Sequence, residues 1–198
     1  LSARWRYLGK KPLHVQPRRI RIVGVSGSGK THLAKAVSAG TGLDHLELDQ
    51  VFWDAGWEFR DVVAARALVS EFLRAHADGW VIDGNWSSRL QGMLDRDAPA
   101  GPDLVVWLDY SRTLVMWRVV RRTLGRALLR TPLWHGNKER PSTWLSRDPH
   151  ENIALLAWQQ HPRLRQRLRD QLDSGDTAGL VVLSSRRETR EWLNALTG

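Results

Sequence analysis

Residues Ile20–Val37 read IRIVGVSGSGKTHLAKAV, an apolar, β-branched run that passes through three glycines into a helical pattern. Within it, Gly24-Val25-Ser26-Gly27-Ser28-Gly29-Lys30-Thr31 has the Walker A spacing, with Gly24 and Gly29 bracketing four residues ahead of Lys30 and Thr31. Glycines there let backbone N–H groups approach a phosphate, and the helix that follows adds its positive end. The expected nucleotide contacts are Gly24, Ser26, Gly27, Ser28, Gly29, Lys30, Thr31 and His32. Lys30 is expected between the β- and γ-phosphates, and the Thr31 hydroxyl on Mg²⁺. The plainer alternative is a glycine-rich turn with an incidental lysine.

Working outward, the pattern predicts a buried strand over Arg18–Val25 and a helix over Thr31–Ala39, closed by Gly40 and Gly42. A second strand, His45–Asp49, turns Leu46 and Leu48 one way and Glu47 and Asp49 the other. After a loop rich in Trp and Gly, Val63, Ala67, Leu68 and Phe72 recur at helical spacing over Arg60–Ala77, with Gly79 as the stop. Trp80–Asp83 and Leu104–Asp109 are short apolar strands that each end in an aspartate, with a loop between them. A basic helix starts at Arg112. Residues 131–149 are polar and aperiodic, and read as an excursion. A helix from Glu151 to Leu172, interrupted or restarted at Pro162, precedes a fifth strand, Leu180–Leu183, and a last helix, Glu188–Leu196. Strands alternating with helices predict a parallel sheet covered on both faces, with ligands at the C-terminal strand ends.

Composition sets outer bounds. The 198 residues suit one domain, 1–198. With no cysteine, disulfides and thiolate zinc sites are excluded, and a cytoplasmic setting is expected. No apolar run approaches the roughly 18 to 20 residues of a membrane span, and the first residues lack the apolar core of a signal peptide, so no membrane partner is expected. A net charge of +9 predicts attraction to polyanions, whether phosphorylated metabolites, nucleotides or nucleic acid. Eleven tryptophans against three phenylalanines offer stacking surfaces or bulky core, core being the default reading.

Asp83 ends its strand beside the phosphate loop, where it is expected to hold Mg²⁺ together with Thr31; the alternative is an Asx-turn. Asp49 is the first choice to orient an acceptor or take its proton. Asp109, before Tyr110-Ser111-Arg112, reads as a helix N-cap. Arg118, Arg122 and Arg126 recur every four residues with Arg121 beside them, which suits a clamp on a transferring phosphoryl group or a solvated basic face. Arg163, Arg165, Arg167 and Arg169 read mostly as a solvated face.

These motifs support a resemblance. The order of phosphate loop, IDGN and LDYSRTLVMWRVVRR resembles the adenylate kinase-like group of P-loop kinases. The segments ELD, WDAGW, WVIDGN, VVWLD, RVVRRT, LWHGN and WQQH are most similar to its branch called DNA topology modulation proteins, across about Arg19–Leu196. That branch name concerns a phenotype rather than a reaction. The resemblance implies an α/β P-loop NTPase three-layer sandwich with a five-stranded parallel sheet, nucleoside monophosphate kinase-like with a lid insert. It implies that Asp83 helps to place Mg²⁺ and that Arg118 and Arg122 open the lid, about 125–150, and clamp phosphates. It implies an acceptor-binding insert at about 50–78, with Trp53, Trp57 and Arg60 as candidate contacts, and an adenine site near Ser184–Arg187, hence Arg186. Adenylate kinases follow Asp-Gly with Phe-Pro-Arg; here Asn85-Trp86-Ser87-Ser88 intervenes before Arg89, so AMP does not carry over as acceptor. Asn85 and Arg89 join the candidate substrate contacts.

Two readings result. The first is an ATP- and Mg²⁺-dependent kinase that phosphorylates a small-molecule or nucleotide acceptor. The second is a nucleic-acid-binding regulatory ATPase or nucleic-acid end kinase; nucleic acid as a partner rests on charge, and no nucleic-acid-binding module is legible.

Overall fold

The computed structural model describes residues 6–7, 16–129, 132–137, 146, 148, 152–174 and 179–198. About half of the segment expected to form a lid, about 125–150, lies outside the described residues. Five parallel strands form the sheet: β2 (Arg19–Gly24), β3 (Asp44–Glu47), β4 (Trp80–Asp83), β5 (Leu104–Leu108) and β6 (Leu180–Leu183). A two-residue strand β1 (Arg6–Tyr7), which the sequence pattern does not reveal, adds an antiparallel edge in the order β1-β6-β5-β2-β4-β3. The helices are α1 (Lys30–Thr41), α2 (Leu48–Phe52), α3 (Val62–Ala75), α4 (Ser87–Leu90), α5 (Arg112–Leu129), α6 (Ile153–Asp173) and α7 (Arg186–Thr197). Two single 3₁₀ turns, Ala55–Trp57 and Trp134–Gly136, complete the elements described.

Alternation along the strands assigns the layers. Ile20, Ile22, Val81 and Val106 face α1 and α7, where Leu33, Val37 and Trp192 complete the main core. The opposite face is covered in two pieces. One joins α2 and α3 to Trp80 and Ile82; the other joins Leu168 of α6 to Val23, Trp107 and Val182.

Several boundaries differ from the sequence pattern, each for a local reason. β3 ends at Glu47, so Asp49 does not close a strand but sits in the first turn of α2. Gly40 lies inside α1, which stops instead at Gly42 with left-handed dihedrals. A β-carbon on Gly40 would lie 2.4 Å from Thr197 Cγ2, so Gly40 lets α7 pack close. Helix α3 starts on the Asp61 side chain, which accepts from Val63 and Ala64 N–H, and ends at Ala75, before Gly79. Its buried face is Ala65, Val69 and Leu73; Val63, Ala67 and Leu68 point to solvent. Both stripes satisfy helical spacing, and the docking of α3 on Trp80 and Ile82 chooses between them. The stretch between β4 and β5 contains the single helical turn α4 rather than loop alone.

Pro162 does not interrupt α6. A proline removes the N–H that would bond the carbonyl four residues back. Here that carbonyl, on Trp158, accepts from Arg112 Nη2 at 2.7 Å, while the Arg112 guanidinium stacks on the Trp158 ring. Nor does Asp109 act as a cap: Arg165 donates to it twice, Nε at 2.8 Å and Nη2 at 3.1 Å, and ties α6 to the end of β5. The Leu114 N–H turns to the Ser111 hydroxyl instead.

The α3 assignment has a direct check in denaturant unfolding. Val69→Ala removes packed methyl groups and should lower stability by about 2 kcal/mol. Val63→Ala should change it by less than about 0.5 kcal/mol. Equal losses at the two positions would mean that the other face is buried.

Candidate active site

The glycine-rich loop expected to bind phosphate leaves β2 at Gly24 and enters α1 at Lys30. Gly29 caps α1 with φ 95°, a left-handed conformation suited to glycine. Gly27 has φ 82°, and a β-carbon there would meet Val119 Cγ2 at 2.4 Å, so the missing side chain lets α5 lie against the loop. That approach delivers two cations. Arg118 Nη1 donates to the Ser28 carbonyl at 2.9 Å, and Arg122 Nη2 lies 3.4 Å from Ser26 Oγ. The loop is also held from β4: Asn85 Nδ2 donates to the Gly24 carbonyl at 2.6 Å, and the Gly24 N–H donates to Asn85 Oδ1 at 3.2 Å. Asn85, a candidate substrate contact, is thus placed as a brace of the loop.

Three strand or helix ends converge on one hydroxyl. Thr31 Oγ1 lies 2.8 Å from Asp83 Oδ2 and 3.1 Å from Glu47 Oε1. The parallel register sets this up, since Glu47 of β3 is the direct neighbour of Asp83 of β4. Asp83 is buried, and His45 Nε2 donates to its other oxygen at 2.7 Å. Burial pushes the Glu47 carboxyl above its ordinary range, and the negative charges of Asp83 and Asp49 push the same way; hydrogen bonds from Trp134 and Thr31 offset part of this. Lys30 donates to the Val25 carbonyl at 3.2 Å, and burial lowers its pKa against the opposing pull of Asp49 and Asp83.

One hydroxyl and two carboxylates are hard oxygen donors of the kind that Mg²⁺ takes, and Mg²⁺ commonly keeps only one or two carboxylates beside substrate phosphates. Among the described residues no group of three or more His, Asp or Glu side chains is arranged to hold a metal by itself. The donor set therefore fits Mg²⁺ arriving with phosphates, which Thr31, Asp83 and Glu47 would hold.

Beyond Asp83 the crevice wall is aromatic. Trp86 Nε1 donates to Asp49 Oδ1 at 2.6 Å, and its ring stacks on Phe52 at 4.6 Å. Trp53 packs edge-on against Trp57 and Trp86, and flat on Phe59. The Arg89 guanidinium lies 4.3 Å from the centre of the Phe59 ring. Arg60 is engaged with Asp54, whose hydrogen bond raises its pKa. Residues 133–137 close onto this wall. Asn137, buried, accepts from the Gly56 and Trp57 N–H groups at 2.7 and 3.2 Å and donates to the Asp54 carbonyl at 2.7 Å. Trp57 (φ 63°) and His135 (φ 56°), both with unfavourable positive φ, sit in the two turns this contact joins. His135 also donates to the Gln50 carbonyl at 3.0 Å.

On the other side of the loop, a cavity of about 380 Å³ is lined by Trp117, Arg118, Arg122 and Arg126 of α5 and by Arg186 of α7. His32 lies exposed on α1. Among the tryptophans described, Trp80, Trp107 and Trp192 are core, while Trp53, Trp57, Trp86 and Trp134 form the crevice wall. Sequence reasoning gave no role to Glu47, Trp86, Trp134 or Asn137. The alternation of Leu46–Asp49 placed Glu47 on the right face, but only the β3–β4 register shows what it adjoins.

Comparison with known proteins bears on the fold. No family model and no curated protein matches the chain. Shikimate kinase from Acinetobacter baumannii, solved with shikimate, aligns at 15% identity over 90% of this chain and 90% of that one, with a TM-score of 0.53. Shikimate kinase from Bacteroides thetaiotaomicron aligns at 17% identity over 91% and 96%, with a TM-score of 0.45. A sugar kinase from Janibacter sp. aligns at 24% identity over 72% and 94%, with a TM-score of 0.38. The chain shares its α/β fold with the Acinetobacter enzyme. No helix among the described residues is long and apolar enough to cross a membrane.

The raised Glu47 pKa sets a sign. A carboxyl that titrates higher in the folded state than its ordinary value near 4.5 favours folding below that value, and the benefit is lost as pH rises through the folded pKa. Glu47→Gln should therefore raise the urea midpoint of the ligand-free protein at pH 8 relative to wild type, with a smaller difference at pH 4.5. An unchanged difference between the two pH values would show that Glu47 titrates normally.

Proposed function

We propose that the chain is a P-loop kinase that transfers the γ-phosphoryl group of ATP, with Mg²⁺, to a hydroxyl or phosphate of a small-molecule or nucleotide acceptor. One observation carries this reading: Asp49, fixed by Trp86, lies close enough to Lys30 to affect its ionisation, on an aromatic wall that continues the phosphate crevice. A nucleotide hydrolase needs only the phosphate half; a carboxylate held before an aromatic wall furnishes a second half for an acceptor.

The roles follow from position. The N–H groups of Gly27 to Thr31 and the start of α1 cradle phosphates. Lys30 neutralises the bridging and γ-oxygens, and Arg118 and Arg122 stabilise charge on the transferring group from the α5 side. Mg²⁺, held by Thr31, Asp83 and Glu47, supplies charge neutralisation of the phosphates. Asp49 accepts a hydrogen bond from the acceptor hydroxyl, or takes its proton, as the acceptor oxygen bonds to phosphorus and the bond to the β-phosphate oxygen breaks. Trp53, Trp57, Trp86 and Phe59 hold the acceptor body, and Arg89 pairs with an anionic group on it. Trp117 and Arg186 flank the nucleobase. The segment carrying Trp134 and Asn137 excludes water from this half, so that transfer outcompetes hydrolysis. A cytoplasmic setting accords with ATP as donor.

The kinase reading is tested by incubating the protein with Mg²⁺, [γ-³²P]ATP and a broad panel of nucleotides, sugars and hydroxylated acids. At least one acceptor should be labelled, and Lys30→Ala should lower the rate by about 100-fold or more with the fold intact. Asp49→Asn should lower kcat while leaving ATP affinity within about twofold. Free ATP hydrolysis with no acceptor labelled would overturn the assignment.

A further inference from the structure

The face of the sheet opposite α1 has a seam. One apolar cluster covers β3 and β4, another covers β5 and β6, and the central strand β2 places Arg21 between them. Arg21 is only 6% exposed. Its Nη1 donates to the Leu94 carbonyl and its Nη2 to the Ser87 hydroxyl, each at 2.8 Å, and both acceptors are neutral. Its Nε is buried with no hydrogen-bond partner among the described residues, and no described carboxylate forms an ion pair with it. Burial lowers its pKa, and the negative charge of Asp95 opposes this. A buried cation without a counter-ion is costly, and apolar residues would close this seam more stably.

The seam is also hollow. The segment between β4 and β5 supplies only one helical turn, and a cavity of about 720 Å³ lies over Arg21, Val23, Val105 and Trp107. Its volume falls within the range of about 300–1,000 Å³ common for metabolite sites. Arg96 and Arg167 stand on its walls; the two carboxylates that line it, Asp95 and Asp97, are exposed. The buried charge facing the cavity is therefore positive, on an apolar and aromatic floor. Asn85 separates it from the phosphate loop, so it is distinct from the crevice of the proposed transfer site.

We propose that this cavity is a second ligand site for a small organic anion. A carboxylate or phosphate on the ligand faces the Arg21 guanidinium, Arg167 of α6 flanks the entrance, and a flat apolar body lies on Trp107 and Val105. The anion is the counter-ion that Arg21 lacks, and the floor contributes by burial of apolar area.

The probe is 1-anilinonaphthalene-8-sulfonate, a flat apolar body carrying one anionic group. It is titrated into the full chain after Mg²⁺ and a non-hydrolysable ATP analogue have been added to saturation, with analogue binding measured on the same sample. The expected result is one saturable site. Its Kd should rise at least about tenfold in Arg21→Met and in Val105→Trp, which fills the floor, and several-fold in Arg167→Ala. Arg167 is exposed on its helix, so that variant tests the proposal even where Arg21→Met fails to fold. Displacement of the dye by inorganic phosphate would assign a phosphate ester, and displacement by benzoate a carboxylate. Dye displaced by the ATP analogue, equal affinity in wild type and all folded variants, or no displacement by either anion would overturn the proposal. Failure of the analogue to bind would count against the nucleotide reading instead, leaving the dye result to be scored by the variants.

Discussion

Two carboxylates stand side by side at the ends of adjacent parallel strands, because the register of β3 on β4 pairs Glu47 with Asp83. Like charges at that separation repel, and burial strengthens the repulsion. The fold relieves it with the Thr31 hydroxyl between them, with His45 on the far oxygen of Asp83, and with a Glu47 carboxyl that resists ionisation. Under the proposed function, a cation brought in with phosphates would relieve it further. The site thus holds two carboxylates in electrostatic tension, and its geometry is set by strand pairing rather than by a flexible loop.

A second constraint fixes the cations. Gly27 has no side chain, so α5 approaches until Val119 fills the space, and Arg118 and Arg122 then reach the loop from a helix far along the chain. Opposite them, Asn137 satisfies three backbone groups of the 54–57 turn with one amide. That latch holds Trp134 near Glu47 and links the acceptor wall to the carboxylate pair. In the proposed kinase, donor and acceptor halves would share a boundary at Glu47.

Local motifs made half of this legible. The Gly24–Thr31 spacing was read as a turn from strand into helix, which the fold has, and WVID and LVVL were read as strands with the bounds the fold adopts. What failed depended on tertiary choice. The residues of α3 offer two helical stripes, and only docking on Trp80 and Ile82 selects Val69 over Val63. Pro162 signals a break unless Arg112 takes over the orphaned Trp158 carbonyl, a partner some fifty residues away in sequence. Asp109 resembles a cap until Arg165 arrives from α6. Glu47 was placed on a face but not in a role, because nothing in a single strand reveals which residue of the next strand lies beside it. Arg21 is a further case: it falls within the strand expected over Arg18–Val25, but its isolation between two apolar clusters depends on how α3 and α6 dock.

The central claim is that Glu47, Asp83 and Thr31 form the metal side of a nucleoside triphosphate site. Calorimetric titration of ATP, with Mg²⁺ and then with excess EDTA, tests it most directly. The account predicts one site whose affinity falls at least about tenfold when Mg²⁺ is removed, and predicts that Thr31→Val abolishes most of that difference. Equal affinity with and without Mg²⁺, or the same Mg²⁺ dependence in Thr31→Val, would contradict it.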